Sequence, residues 1–390
     1  MSFELHILGS GAALPTSKRQ ATAQYVNCNE RHILIDCAEG TQQQLRKYGL
    51  KLQKIQYILI SHLHGDHFFG LPGLLSTMHL LGRNKRLQIF GPPGLEDLIK
   101  AMLAAGGHPL EFDLSFHTID PGKNQLIFED RLIEIYAFAL KHRIPTIGYR
   151  INEKPKPLNL DKKAIVNAGL LIEDFAKLKA GKSIERAGKL YDYKDFTLGS
   201  VPTYSYAYCS DTKPSPNYLE AIEGADLVYH EATFTEQHLE RAKSTFHSTA
   251  KQAAEQAKRA KCKYLLLGHF SSRYDDAVIH MAEASAVHPV PGKGGATMRT
   301  ILVGGPRRSK STTARALRAE GVPTLCTDPR PLVKEPEEGV EYLPEVYAHP
   351  EMWSAASAHV ADVWFQRPGP WCIEGVATAR ALRKWCSRGY

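Results

Sequence analysis

The chain has 390 residues, 43% of them hydrophobic and 23% charged, with a formal net charge of +8. That length holds one large domain and a smaller second one, and the composition is ordinary for a soluble globular protein, not for a disordered or fibrous one. No apolar run is long enough to cross a bilayer, and the basic excess points to a polyanionic partner rather than a membrane. Seven cysteines without a C-x-x-C pair (Cys28, Cys37, Cys209, Cys262, Cys326, Cys372, Cys386) read as reduced thiols. With no signal peptide at the start, they favour the cytoplasm.

An apolar run over 3–8 reads as a first strand, ending at Gly9-Ser10-Gly11-Ala12-Ala13-Leu14-Pro15. That turn imitates a dinucleotide-binding loop, but Pro15 blocks a clean helix start and the third glycine is missing, so no nucleotide is expected there. Strands follow over 25–27 and 32–36. Ala38-Glu39-Gly40-Thr41-Gln42 opens a helix through Lys47, and a further strand spans 55–60. That strand runs into Ser61-His62-Leu63-His64-Gly65-Asp66-His67. Three imidazoles and a carboxylate in the turn after a strand can converge on one crevice, and this donor set suits zinc. A helix over 72–81, a strand over 87–90 and the turn Gly91-Pro92-Pro93-Gly94 come next, and alternating strands and helices continue to about Arg150.

The H-x-H-x-D-H run resembles the metallo-β-lactamase superfamily, which implies an α/β fold, a four-layer αββα sandwich with metal held between two sheets. Its remaining ligands would then come from later strand ends. Three residues fit: His142 in Leu140-Lys141-His142-Arg143, Asp211 in Cys209-Ser210-Asp211-Thr212, and His269 in Leu267-Gly268-His269-Phe270.

Over 151–195 the texture changes. Lys154-Pro155-Lys156-Pro157 is basic and extended, because each proline fixes its own φ and restricts its predecessor. One short amphipathic helix follows, with Leu170, Leu171, Phe175 and Leu178 apolar among Lys162, Lys163, Lys177, Lys179 and Lys182. A basic arm inserted into a metal-site domain suits an enzyme that grips a structured nucleic acid by its phosphates. The α/β pattern resumes at 204–209 and continues through His230-Glu231-Ala232-Thr233-Phe234 and His247-Ser248-Thr249 to a helix ending near Val287.

With these pieces assembled, residues 1 to about 287 resemble ribonuclease Z. The resemblance also rests on Gly9-Ser10-Gly11, Asp36-Cys37-Ala38-Glu39-Gly40-Thr41-Gln42, His142-Arg143-Ile144-Pro145-Thr146-Ile147-Gly148-Tyr149-Arg150 and His269-Phe270-Ser271-Ser272-Arg273-Tyr274. It implies two zinc ions per chain, one on His62, His64 and His142, the other on Asp66, His67 and His269, with Asp211 bridging. Asp66 would also orient or deprotonate the attacking water, and Glu231 with His247 would protonate the departing ribose 3′-oxygen. The implied reaction removes the 3′ trailer from precursor tRNA and leaves a 3′-hydroxyl. The family further implies a homodimer built through the nuclease domain and a tRNA-gripping role for the arm, with Lys154 and Lys156 joining the five helix-region lysines.

The expected domain therefore spans 1–288, followed by a Pro/Gly linker over 289–297 and a segment over 298–390. That last segment resembles part of a P-loop kinase, a small α/β unit. A strand over 299–303 leads to Gly304-Gly305-Pro306-Arg307-Arg308-Ser309-Lys310-Ser311-Thr312, then to a helix over 313–320. Gly304, Lys310, Ser311 and Thr312 are the candidates for ATP and magnesium, and Pro370-Trp371-Cys372-Ile373-Glu374-Gly375 is a candidate strand with an acidic residue. The competing readings are a small-ester hydrolase, which would not need the arm, and an RNA-binding protein without catalysis, which would not need seven intact ligands. A phosphotransferase in the tail is the third.

Overall fold

The computed structural model describes residues 3–17, 19–107, 110–186, 188–199 and 202–288, with four short strands beyond them. In the first sheet, β1 (Phe3–Gly9), β2 (Ala23–Cys28), β3 (Arg31–Cys37), β4 (Tyr57–Leu59), β5 (Leu87–Gly91) and β6 (Leu114–Thr118) lie side by side in chain order. β1 to β3 pair antiparallel and β3 to β6 parallel. The second sheet contains β7 (Gln125–Glu129), β8 (Ile133–Leu140), β9 (Thr146–Glu153), β14 (Ser205–Cys209), β15 (Leu227–Glu231) and β16 (Tyr264–Gly268), in the order β16-β15-β14-β9-β8-β7. β14, β15 and β16 run parallel to one another.

Strand alternation decides the layers, because successive side chains leave a strand on opposite faces. Ile33 and Ile35 of β3 join Leu59, Phe90, Ile135, Tyr149, Tyr206 and Tyr208 in the core between the sheets. Leu34 points the other way, into a core with Ile58 and Ile89 that is closed by α1 (Thr41–Lys47), α3 (Leu71–Leu80) and α4 (Leu95–Ala104). Ala207, Cys209 and Val228 likewise face away from the first sheet, toward α7 (Leu219–Ile222) and α9 (Ala250–Arg259). The result is helix, sheet, sheet, helix, the four-layer sandwich expected. Each fully buried Ile or Leu in these layers contributes about 1.5–3 kcal/mol, so the layers fix the strand ends that carry the site. α2 (Gly65–Phe68) is a single turn after β4, α8 (Leu239–Thr245) precedes α9, and α10 (Val278–Val287) packs on α9.

The first three residues of the expected insertion continue β9, which runs to Glu153. Beyond it stand β10 (Asn159–Leu160), α5 (Lys162–Ala168), α6 (Ile172–Lys179), β11 (Ile184–Arg186), β12 (Lys189–Tyr191) and β13 (Thr197–Leu198). The single helix expected here is two. Gly169 adopts φ +68° and ends α5, and Leu170 and Leu171 lie in the break. Asp161 caps α5 by accepting from the backbone N–H groups of Lys163 and Ala164. Ile165, Leu170, Leu178, Ile184 and Phe196 give the arm its own small core, which is why so short an excursion holds a shape.

After residue 288, β17 (Arg299–Ile301), β18 (Thr324–Cys326), β19 (Val340–Tyr342) and β20 (Trp371–Glu374) form a sheet of order β17-β20-β18-β19, every pair parallel. Strands thus occur at both tail positions where the sequence suggests them. The expected linker over 289–297, the glycine-rich loop with Gly304, Lys310, Ser311 and Thr312, and the helix over 313–320 lie outside the described residues. The four cysteines with described side chains, Cys28, Cys37, Cys209 and Cys262, are buried and free. Among the described residues no helix is long and apolar enough to cross a membrane.

Candidate metal centre

All seven residues singled out as ligands meet where the carboxyl ends of strands from both sheets face each other, the usual place for a site in layered α/β folds. His62, His64, Asp66 and His67 come from the turn after β4, His142 from the β8–β9 connection, and Asp211 and His269 from just beyond β14 and β16. They form two adjacent groups of donors, His62, His64, His142 and Asp211 in one, Asp66, His67 and His269 in the other.

Asp211 stands between the two groups and turns one oxygen to each. Its Oδ2 lies 3.6 Å from His62 Nε2 and 3.7 Å from His142 Nε2. Its Oδ1 lies 3.4 Å from His67 Nε2 and 3.1 Å from His269 Nε2. Within the first group His64 Nδ1 is 3.0 Å from His62 Nε2 and 3.3 Å from His142 Nε2. Within the second, Asp66 Oδ2 is 3.5 Å from both His67 Nε2 and His269 Nε2. Two donors each about 2.0–2.2 Å from a tetrahedral ion are separated by roughly 3.4 Å, so these spacings fit such an ion in each group. His67 Nε2 and His269 Nε2 are moreover buried without any hydrogen-bond partner. A buried polar atom costs free energy unless something binds it, and a cation between these groups removes that cost.

The ring nitrogens facing away from the centre are held. His67 Nδ1 is 2.8 Å from Asp36 Oδ2, His142 Nδ1 is 3.0 Å from the Phe246 carbonyl, and His269 Nδ1 is 2.8 Å from Thr233 Oγ1. Such contacts set the tautomer and aim the opposite nitrogen inward. Three of the residues involved, Asp36, Phe246 and His269, have left-handed φ values of 55°, 60° and 57°. Non-glycine residues adopt that conformation at a cost, and packing must hold them there. Burial, and the charge that His67 would carry if protonated, push the pKa of His62 well down, toward the neutral form that can bind a metal. Burial opposes charge on His67 too, but the carboxylates of Asp211, Asp66 and Asp36 outweigh it and raise its affinity for a proton.

Beside the centre lies the Glu231–His247 pair. Glu231 ends β15 and is fully buried, and its four acceptor positions are taken. Oε1 accepts from Thr212 N at 2.9 Å and His247 Nδ1 at 2.8 Å, and Oε2 accepts from Thr233 N at 3.1 Å and Thr233 Oγ1 at 2.6 Å. His247 sits between the left-handed Phe246 and the capping box that opens α9, in which Thr249 and Gln252 exchange side chain and backbone bonds. Burial alone would deprotonate His247, but the Glu231 carboxylate wins and its pKa rises to about 9. His247 Nδ1 also comes within 4.0 Å of Asp211 Oδ2, and with Asp211 and His269 it makes a third donor group. That nitrogen is already bonded to Glu231 at the shorter distance.

Four functional residues were not singled out in the sequence: Asp36, Ser61, Tyr208 and Thr233. Asp36 accepts from Ser61 N at 2.7 Å, Ser61 Oγ at 2.8 Å and Tyr208 OH at 2.6 Å as well as from His67. The available signal was a carboxylate ending an apolar strand, which must find partners once buried. The glycine-rich first turn also belongs here. Ala12 and Phe270 pair across it, and Ala13 N donates to Asp66 Oδ2 at 2.7 Å. A Cβ on Gly9 would fall 1.7 Å from the Ala21 carbonyl oxygen, so close chain approach, not phosphate binding, demands that glycine. Of the arm lysines, Lys162, Lys163, Lys177, Lys179 and Lys182 are exposed. Lys154 and Lys156 differ, being paired with Glu129 and Glu153 at the arm's root.

A family described as anti-Pycsar protein Apyc1 matches residues 3–154, a stretch that ends before Asp211, Glu231, His247 and His269. Ribonuclease Z of Bacteroides fragilis strain YCH46 is 44% identical over 288 residues, 74% of this chain and 95% of that protein. Ribonuclease Z of Cytophaga hutchinsonii is 42% identical over 289 residues, covering 74% and 92%. Among solved structures, the short form of human tRNase Z superposes with a TM-score of 0.54 at 32% identity, over 69% of this chain and 93% of that one. The metallo-β-lactamase fold protein YhfI of Bacillus subtilis superposes at 0.53 with 15% identity, over 74% and 93%, a likeness of fold alone. With near-complete coverage of relatives above 40% identity and the αββα fold in place, the chain belongs to the ribonuclease Z family.

Proposed function

We infer that the chain is a metal-dependent endoribonuclease that removes the 3′ trailer of precursor tRNA, leaving a 3′-hydroxyl. The carrying observation is the shared Asp211, one oxygen toward each donor group, beside a buried carboxylate–imidazole pair. His62, His64, His142 and Asp211 Oδ2 would hold one ion, and Asp66, His67, His269 and Asp211 Oδ1 the other. The nitrogen-rich donor set favours zinc, two ions per chain. When bound, these ions supply electrostatic stabilisation at the attacked phosphate and a more acidic water.

The chain's own residues do the rest. Asp66, fixed by Ala13 N, orients the attacking water and can take its proton. His247 donates Nδ1–H to Glu231, which leaves the proton on Nε2 free for the departing ribose 3′-oxygen. The five exposed arm lysines grip tRNA phosphates away from the cut. Free buried thiols suit a reducing cytoplasm, and we propose a homodimer through the nuclease domain, readable by sedimentation. The test of function is cleavage of a precursor tRNA after metal stripping and after zinc is restored. Activity that returns with zinc, with a 3′-hydroxyl on the tRNA product, is expected; cleavage insensitive to chelator refutes the reading.

A further inference from the structure

Thr233 has no role in the mechanism above, yet its side chain touches both halves of the site. It lies two residues past Glu231 and is only 4% exposed. The loop is clamped against the His269 loop, Ala232 N donating to the Gly268 carbonyl and Ser271 N to the Thr233 carbonyl. Its Oγ1 is 2.6 Å from Glu231 Oε2, 2.8 Å from His269 Nδ1 and 3.3 Å from His247 Nδ1.

Proton counting assigns these contacts. A hydroxyl has one hydrogen, and a carboxylate can only accept. The Thr233 proton therefore goes to Glu231, at the shortest of the three distances. Toward His269 the hydroxyl can then only accept, so His269 must carry its proton on Nδ1. Its Nε2 is left bare, which is the buried, unpartnered atom facing Asp66 and Asp211. His247 Nδ1 already donates to Glu231 Oε1 at 2.8 Å, so its longer contact with Thr233 adds little.

We propose that Thr233 is a positioning residue that serves metal binding and proton delivery at once, fixing His269 in the tautomer that can bind a metal while holding Glu231 in line with His247. Without the hydroxyl, His269 Nδ1–H loses its acceptor, and the tautomer with hydrogen on Nε2, which cannot bind a metal, is no longer disfavoured. Glu231 at the same time loses a partner of its Oε2 and can turn away from His247. Removal of such a supporting interaction typically lowers metal affinity 10–100-fold. The inference rests on the reading of His269 as a ligand and of His247 as the proton donor.

The test compares Thr233→Val, nearly isosteric, with Thr233→Ser, which keeps the hydroxyl. Zinc affinity measured by chelator competition should fall about 10–100-fold in Thr233→Val and recover in Thr233→Ser. At saturating zinc, Thr233→Val should still cut precursor tRNA more slowly, while bis(p-nitrophenyl) phosphate, whose leaving group needs no proton, is hydrolysed nearly as fast as by the unmutated chain. Normal zinc affinity in Thr233→Val, an equal loss on both substrates, or failure of serine to rescue overturns the proposal. If the valine variant does not fold, ¹⁵N spectra of the metal-free unmutated protein decide. The His269 resonances, assigned by their loss in His269→Asn, should report hydrogen on Nδ1, and hydrogen on Nε2 overturns the assignment. His247→Ala run on both substrates separates the two readings. If it fails to discriminate between them, the proton-donor role of His247 is wrong, whatever Thr233 does.

Discussion

His280 on α10 is fully buried, and neither ring nitrogen has a hydrogen-bond partner. It packs edge-on against Phe270, centroids 4.9 Å apart, and Tyr274, 4.5 Å apart, behind the loop that carries His269. Burial, reinforced by the charge of Arg19, lowers its pKa from 6.5 to about 3. The carboxylates near Arg19 (Asp275, Asp276) and Glu283 on α10 itself do not reverse that shift. Because the folded-state pKa is depressed, the unfolded chain binds the extra proton between these two values. The neutral form therefore stabilises the fold fully above pH 6.5, and this contribution is lost as pH falls toward 3. At about 1.36 kcal/mol per unit, the whole displacement is worth roughly 5 kcal/mol, of which about 2 kcal/mol is lost between pH 7.5 and pH 5. His280→Leu removes both the titration and the orphaned nitrogens. Urea unfolding of the two proteins, metal-free, at pH 7.5, 6 and 5 should show the stability of the leucine variant relative to the unmutated chain rising by about 2 kcal/mol from the first pH to the last. Every other ionisable group is common to both proteins and cancels in the difference. A difference that does not change with pH refutes the argument.

Asp211→Ala should lose bound metal and nearly all cleavage, since both donor groups face that carboxylate, whereas His247→Ala should keep its metal and slow only the chemical step; metal analysis beside single-turnover rates separates them. Replacing Lys162, Lys163, Lys177, Lys179 and Lys182 with Gln should weaken precursor tRNA binding and flatten its salt dependence by somewhat under one unit of log–log slope for each phosphate no longer neutralised. Hydrolysis of bis(p-nitrophenyl) phosphate should be spared, and replacing Lys154 and Lys156, already paired with glutamates, should change tRNA affinity less. A chain stopped at Pro291 should retain its zinc and process precursor tRNA, because every ligand and proton carrier precedes residue 270; loss of metal on truncation would contradict this.

The convergence of the seven candidate ligands is legible in the sequence because each follows a short apolar strand, and hydrophobic periodicity is a local signal that survives without neighbours. The strands expected over 3–8 and 87–90 lie within one residue of β1 and β5. The strand expected over 55–60 is longer than β4, Tyr57–Leu59, although Gln56 N and Ile60 N still donate to the carbonyls of His32 and Phe90 on the neighbouring strands. Gly169 is readable as a helix breaker, but the apolar spacing across it hides the break between α5 and α6. The ring of supporting contacts is not legible at all. Tyr208 and Asp36 are 172 positions apart and Thr233 and His269 are 36 apart. A buried tyrosine in an apolar strand looks like core until its hydroxyl is seen to have a partner.

Strand direction explains why the chemistry collects at one edge. In β14, β15 and β16, Cys209 stands opposite His230 and Glu231 opposite Gly268, so three parallel strands end nearly level. The residues at or just past those ends, Asp211, Glu231 and His269, therefore stand in a row, one strand spacing of about 4.8 Å apart. β8 is antiparallel to β9, and β9 to β14, which brings the carboxyl end of β8, and with it His142, to the same edge. Across the gap β3 and β4 are parallel and in register, Ile35 opposite Leu59, so Asp36 and the His62 turn emerge together. Antiparallel neighbours would send alternate ends to opposite rims of the sheet, and a slip of one residue would turn every side chain to the other face. The two donor groups and Glu231 are thus placed by backbone pairing, and the side chains have only to be of the right type. That is why short motifs scattered over more than 200 positions can encode one centre.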